Sequence, residues 1–364
     1  MDSITQAALG AAVGGAVMGR RLGRKAVLIG ALLGTLPDLD VALDYGDAIA
    51  NVTEHRGFSH SLFVLTGLGT LLALLSRYLW PGRASLGRWW CFFTLALTTH
   101  PLLDSLTTYG TQLLWPLDAP PAAWPIIFII DPLYTLALLG GLVAACVSRR
   151  VVHYCAMGLA LSCAYLLMAA GMKWSIEMRL APALEARGLE DAPLLVQPTP
   201  FNILLWRATA VGEDRYYEGL VSVFDDDRAP ILEPFAREQA PLEEAALGGA
   251  LGQRLAWFSG PFLRYEVEPI DGVETLIATD LRLGFPGFHP FNFTLATLEQ
   301  GEWRPVAESE QRPTERGLSG RTLSRLVARA MGDEDALCAS DFIAPEWRLE
   351  GETYACRAGT SAAD

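Results

Sequence analysis

The feature that most constrains this chain is an abrupt change in charge and hydropathy near residue 172. Residues 1–172 carry 10 Lys/Arg and 9 Asp/Glu, a net charge of about +1, whereas residues 173–364 carry 18 and 32, about −14. The first part holds apolar windows at 26–43, 60–80, 89–106, 126–148 and 151–172, each near the roughly 20 residues a helix needs to cross a bilayer. A weaker window, 4–19, is rich in Gly and Ala, whose small side chains suit close helix packing. This pattern predicts a mainly α protein: a polytopic membrane domain of about six transmembrane helices over 1–172, then an acidic, β-rich soluble domain over 173–364.

The basic residues set the orientation. Arg20, Arg21, Arg24 and Lys25, then Arg77, Arg83 and Arg88, then Arg149 and Arg150 fall in every second connection. The alternate connections, 44–59 and 107–125, hold Asp44, Asp47, Glu54 and Asp118, with Arg56 as their only basic residue. Basic loops stay in the cytoplasm, so both the N-terminus and the acidic half are expected outside, in a multi-pass protein of a bacterial inner membrane. The first window is expected to be retained, because Asp2 precedes it and the arginines follow it, the reverse of a secretory signal. The Trp and Tyr at 78, 80, 89, 90, 115 and 124 fit an interfacial aromatic belt. An acidic exposed half excludes nucleic acid as a partner, since phosphate backbones demand a basic surface.

Ionisable groups inside bilayer segments are costly and mark functional sites. Here "LPDLD" supplies Asp38 and Asp40, "HRGFSH" supplies His55 and His60, and "HPLLD" supplies His100 and Asp104. The arginine pattern places all six at the outer face. His100 and Asp104 are spaced i, i+4 and project from one helix face. Aspartates with neutral imidazoles suit zinc or another divalent transition metal. The bland alternatives are an interfacial role for His55, a turn cap for Asp38, and a local bond from Asp104 to Ser105 or Thr107; they do not explain why six such residues share one face. Asp131 reads as a structural hydrogen-bonding residue, His153 as interfacial, and His289, in "GFPGFHPFNF", as a turn residue among aromatics.

In combination, "LPDLD", "HRGFSHS" and "HPLLDSLTTYGT" resemble the YdjM or DUF457 family of membrane-bound metal-dependent hydrolases, over about residues 1–170. That family is grouped with zinc-dependent phospholipase C and the P1-type nucleases. The resemblance implies phosphoester hydrolysis by metal-activated water, with Asp38, Asp40, His55, His60, His100 and Asp104 as ligands. It further implies that Arg56 binds a phosphate oxygen and that Ser59, Ser61 or Thr108 supply supporting hydrogen bonds. Many members begin with a motif like "MDPVTHA"; this chain has "MDSITQA", so Gln6 stands where they have a histidine.

In the acidic half, a linker helix is expected over 173–188, strands over 203–210, 216–224, 262–267 and 274–280, and a helix over 321–331. No catalytic constellation stands out there. Cys338 and Cys356 are the only cysteines of this half, able either to pair in an oxidising compartment or to stay free, whereas Cys91, Cys146, Cys155 and Cys163 read as small apolar residues. The expected function is metal-dependent hydrolysis of a phosphoester or lipid-linked substrate, with membrane lipids as partners. The rival is a non-enzymatic metal-binding scaffold or a transporter; polar groups are lacking at the inner helix ends, which disfavours transport.

Overall fold

Asp2 starts the first helix: its carboxylate accepts from the backbone N–H groups of Ile4 and Thr5, satisfying two donors that no helical carbonyl reaches. The computed structural model describes all residues except 238–239, 286–287, 313–319, 343–346, 353 and 355–364. It divides into two units, residues 1–44, 54–170 and 200–202 in one, and 45–53, 171–199 and 203–364 in the other.

Helix α1 (Ser3–Leu22) ends at Gly23, whose φ of +58° suits glycine, and α2 (Arg24–Thr35) returns against it. Glycines make that contact close. A Cβ on Gly10 would lie 2.3 Å from the Gly30 carbonyl oxygen, and one on Gly14 would lie 2.4 Å from that of Ala26. The expectation of small-residue packing is met, against α2. Pro37 then opens a 3-10 helix, Pro37–Ala42. Helix α3 (Ala48–Glu54) follows, then a short 3-10 turn, Phe58–His60. Ser61 caps α4 (Leu62–Leu79), Ser85 caps α5 (Leu86–Asp104), and Asp131 caps α6 (Pro132–Val147). Helix α7 (Val151–Glu185) begins in the first unit and continues into the second, absorbing most of the expected linker helix.

Among the described residues, α4 and α7 are long and apolar enough to cross a bilayer, and α6 is apolar but 16 residues long. These two long helices do not confirm the expectation of six, for local reasons. Helix α2 has only 12 residues, about 18 Å of rise against a hydrocarbon core of about 30 Å. Helix α1 is mostly buried within its unit, and α5 is mostly buried and carries Pro101 inside it. Trp89 is buried and stacks on Phe93 at 5.7 Å, which removes it from the expected aromatic belt, while Tyr78, Trp80, Trp90 and Trp124 are exposed.

The second unit contains two sheets of four antiparallel strands. The first runs β1 (Leu194–Pro198), β2 (Leu205–Val211), β3 (Arg215–Ser222) and β4 (Glu233–Ala236) in spatial order. After helices α8 (Leu242–Leu247) and α9 (Ala250–Ser259), the second runs β5 (Leu263–Ile270), β6 (Val273–Asp280), β7 (Asn292–Glu299) and β8 (Glu302–Pro305). Asp271-Gly272 and Gln300-Gly301, all with positive φ, make the two tightest turns, whose twist matches that of paired strands. Helix α10 (Gly320–Ala330) lies where a helix was expected.

Buried arginines tie the sheets together. Arg207 on β2 donates to Glu218 on β3 at 2.8 Å and to the carbonyls of Leu281 and Gly284 beyond β6. Arg237 donates to the carbonyls of Gly212, Pro261 and Leu263. His289 is buried; its Nδ1 donates to the Leu283 carbonyl at 2.6 Å and its ring stacks on Trp347. Burial, with Arg207 nearby, holds its pKa well below the ordinary value. Cys338 is disulfide-bonded; its expected partner, Cys356, lies outside the described residues.

Helix α3 corrects the reading of 44–59 as a simple loop. Ile49 is fully buried in the core of the second unit with Leu255, Tyr265, Leu276 and Phe293. The Ala48 N–H donates to the Ser309 carbonyl, and Arg254 Nε donates to Thr53 Oγ1.

Candidate metal centre

Three pieces of chain in the first unit carry the expected ligands. A 3-10 helix turns about 120° per residue, so Asp38 and Asp40, two apart, leave Pro37–Ala42 in different directions. His60 ends the turn that precedes α4, while His100 and Asp104 occupy the last turn of α5 on one face.

Asp38, His60, His100 and Asp104 converge, with one ligand atom from each lying within 4.8 Å of all the others. His100 Nε2 stands 3.2 Å from Asp38 Oδ1 and 3.4 Å from Asp104 Oδ2. His60 Nε2 stands 3.3 Å from Asp104 Oδ2 and 3.7 Å from Asp38 Oδ1. The two Nε2 atoms are 3.2 Å apart. His60, His100 and Asp104 are buried, and the Asp38 side chain is 21% exposed, the open side of the group.

Hydrogen-bond partners assign the protons. His100 Nδ1 is 2.5 Å from the Gly34 carbonyl, which only accepts, so this nitrogen carries the hydrogen. Ser59 Oγ is 2.6 Å from Asp40 Oδ2 and 2.8 Å from His60 Nδ1. The carboxylate only accepts, so the single hydroxyl proton goes to Asp40, and His60 Nδ1 must donate to Ser59. With Nδ1 bearing the hydrogen in each ring, both Nε2 atoms face the two carboxylates, as lone-pair donors to a metal ion or, once protonated, as ion-pair donors to the carboxylates. Asp104 Oδ2 is buried and receives no hydrogen bond among the described residues. With neither Nε2 protonated, a cation among the four atoms would offset their mutual repulsion. Two nitrogens and two oxygens fit zinc or another divalent transition ion, and His donating from its other nitrogen to a fixed acceptor is how such ligands are oriented.

The six expected ligands thus separate into four that converge and two that do not. Asp40 is spent on other donors: the Arg56 N–H at 3.0 Å, Ser59 Oγ, and His55 Nδ1 at 3.0 Å. Arg56 is buried beside the group, its Nε 3.4 Å from Asp104 Oδ2 and its guanidinium 4.9 Å over the Tyr109 ring. Its φ of +62°, unusual for a side-chain-bearing residue, is held by Asp40 at its N–H and by the Gln112 N–H at its carbonyl. Ser59 reaches both Asp40 and His60. Ser61 instead caps α4 and donates to the Trp115 carbonyl, and Thr108 lies half-buried in the turn after α5.

Gln6 sits at the group. Its Nε2 donates to Asp104 Oδ1 at 3.0 Å and to the His100 carbonyl at 3.3 Å, so it orients Asp104. The Met1 amino group also contacts Asp104 Oδ1. The Gly34 carbonyl, which no side chain marks, escaped the sequence reading, and Thr107, expected only as a local partner of Asp104, accepts from Arg56 Nη1 at 3.5 Å. Asp131 takes the structural role expected of it, accepting from Leu133 and Tyr134 N–H and from the Tyr165 hydroxyl at 2.8 Å.

A family model described as YdjM inner membrane protein matches residues 1–176, the stretch that contains the whole group. Residues 1–176 belong to the YdjM family. Inner membrane protein YbcI of Escherichia coli (strain K12) is 43% identical over 90 residues, 24% of this chain; the match spans about half, 51%, of that protein. Uncharacterized protein YfhP of Bacillus subtilis (strain 168) is 24% identical over 274 residues, 73% of this chain and 80% of its own length. No solved structure matches significantly. YdjM membership and the two apolar helices support a membrane location.

Proposed function

We propose that this chain is a membrane-bound, metal-dependent hydrolase of a phosphoester in a phospholipid or lipid-linked substrate. In this reading it is a multi-pass protein of the bacterial inner membrane, with the site and the acidic half on the outer side. One observation carries the metal: the Nε2 atoms of His60 and His100, 3.2 Å apart and facing the carboxylates of Asp38 and Asp104. A bound divalent ion, zinc in the first instance, would supply Lewis acidity and lower the pKa of water at the site. The chain's own residues do the rest. Ser59 and Gly34 hold the two imidazoles, Gln6 holds Asp104, and Arg56 supplies a fixed positive charge for a phosphoryl oxygen. The phosphoester class leans on the motif resemblance and on Arg56.

The test is to purify wild type and a His60→Ala, His100→Ala double variant, measure bound metal, and assay phosphodiester and phospholipid hydrolysis. The expected result is stoichiometric metal and hydrolysis in wild type, with both lost in the variant. Equal metal in the two proteins would sink the centre; metal loss without wild-type hydrolysis would move the function to a non-enzymatic metal scaffold.

A further inference from the structure

Asp40 and His55 stand outside the converging four and form a pair of their own. Asp40 is buried, with side-chain exposure of 1%, and its oxygens are occupied by His55 Nδ1, the Arg56 N–H and Ser59 Oγ. Because a carboxylate only accepts, Nδ1 of His55 is the protonated nitrogen, and the ring is fixed by it. His55 keeps 23% of its side-chain surface exposed, and among the described residues no hydrogen bond reaches its Nε2. The ring sits edge-on between His60, 6.0 Å between centroids, and Tyr109, 5.8 Å. A carboxylate-anchored, partly exposed imidazole beside the four converging side chains has the arrangement of a proton-transfer dyad.

We propose that Asp40 and His55 deliver a proton to the leaving oxygen of the phosphoester. This rests on the hydrolase reading of the same site. In the step, the water oxygen forms the new P–O bond, and the P–O bond to the leaving group breaks with its electron pair on the leaving oxygen. His55 Nε2 passes its proton to that oxygen, and the proton shed by the water restores His55. Asp40 stays ionised and keeps Nδ1 protonated throughout, as a positioning residue.

The experiment uses the full chain as wild type, His55→Gln, Asp40→Asn and His60→Ala. Metal content and affinity are measured first, without substrate: His55→Gln is expected to match wild type, and His60→Ala to lose the ion. Hydrolysis is then compared for two phosphodiesters, one releasing p-nitrophenolate, which departs without a proton, and one releasing an alkyl alcohol, which does not. His55→Gln is expected to lose at least about 100-fold on the alkyl ester and far less on the nitrophenyl ester. Asp40→Asn is expected to show the same selectivity in weaker form. Metal loss in His55→Gln would overturn the proposal and make His55 a ligand. Equal losses on both esters with metal retained would overturn it in favour of a structural role. A metal-loaded wild type inert on both esters would remove the hydrolase reading and this step together.

Discussion

Gly30 tests whether close packing of α1 on α2 builds the proposed metal centre. In Gly30→Ala the new Cβ would lie 2.2 Å from the Gly10 carbonyl oxygen and 3.0 Å from Gly14 Cα. Both neighbours are backbone, so no rotamer change relieves the contact; the helices must part by about 1 Å to reach ordinary contact distance. Alanine favours the helix by about 1 kcal/mol over glycine, whereas overpacking of this kind costs about 1–3 kcal/mol. Since the clash is with backbone, the upper end applies, and the net loss is about 2 kcal/mol. Gly140 on α6 and Gly67 on α4 are internal controls: a Cβ there meets nothing within 4 Å, so alanine is expected to be neutral or stabilising by up to about 1 kcal/mol. The same displacement reaches the centre. Gly34, one turn beyond Gly30, holds His100 at 2.5 Å, and Gln6 on α1 holds Asp104 at 3.0 Å. Stretching either bond by about 1 Å breaks it, which is expected to weaken metal affinity by about 10- to 100-fold. Thermal unfolding in detergent, paired with metal titration, reads both effects. If Gly30→Ala melts with Gly140→Ala and binds metal as wild type does, the packing argument is wrong.

Two further predictions concern the acidic half. Arg207→Met leaves Glu218, fully buried, without its counter-charge, and is expected to cost about 3–5 kcal/mol of stability by thermal or denaturant unfolding. The double change Arg207→Met, Glu218→Leu should recover most of it; a double variant as unstable as the single would refute the assignment. His289, held neutral by burial, makes stability fall with acid: below about pH 6.5 the unfolded chain takes up a proton that the folded chain refuses, at up to about 1.4 kcal/mol per pH unit. His289→Gln should flatten that slope below about pH 6.5 relative to wild type, and parallel curves would exclude the buried neutral imidazole.

Much of the centre was legible because its parts are short, local and chemically conspicuous. An i, i+4 pair on a helix shares a face whatever the tertiary structure does, which is why His100 and Asp104 could be paired in advance. Charge interrupting apolar runs marked Asp38, Asp40, His55 and His60 for the same reason, since burial of such groups demands partners. The strands over 205–211, 215–222, 263–270 and 273–280 showed in β-branched and aromatic runs ending at Gly and Asp. The shorter β1, β4 and β8 did not, having four or five residues each and exposed or proline-bearing sequences.

The sequence by itself determined the division into an apolar and an acidic part, the six polar residues, and their grouping into three motifs, because these follow from composition and spacing. Tertiary structure alone decided which of the six converge. The 3-10 geometry of Pro37–Ala42 sends Asp38 into the group and Asp40 to His55, Arg56 and Ser59. It also decided that Ile49, six residues before His55, is buried in the core of the second unit, and that a glycine carbonyl and a glutamine hold the ligands in place. Such roles depend on what packs against a residue, and no periodicity along one chain records the atoms of another segment.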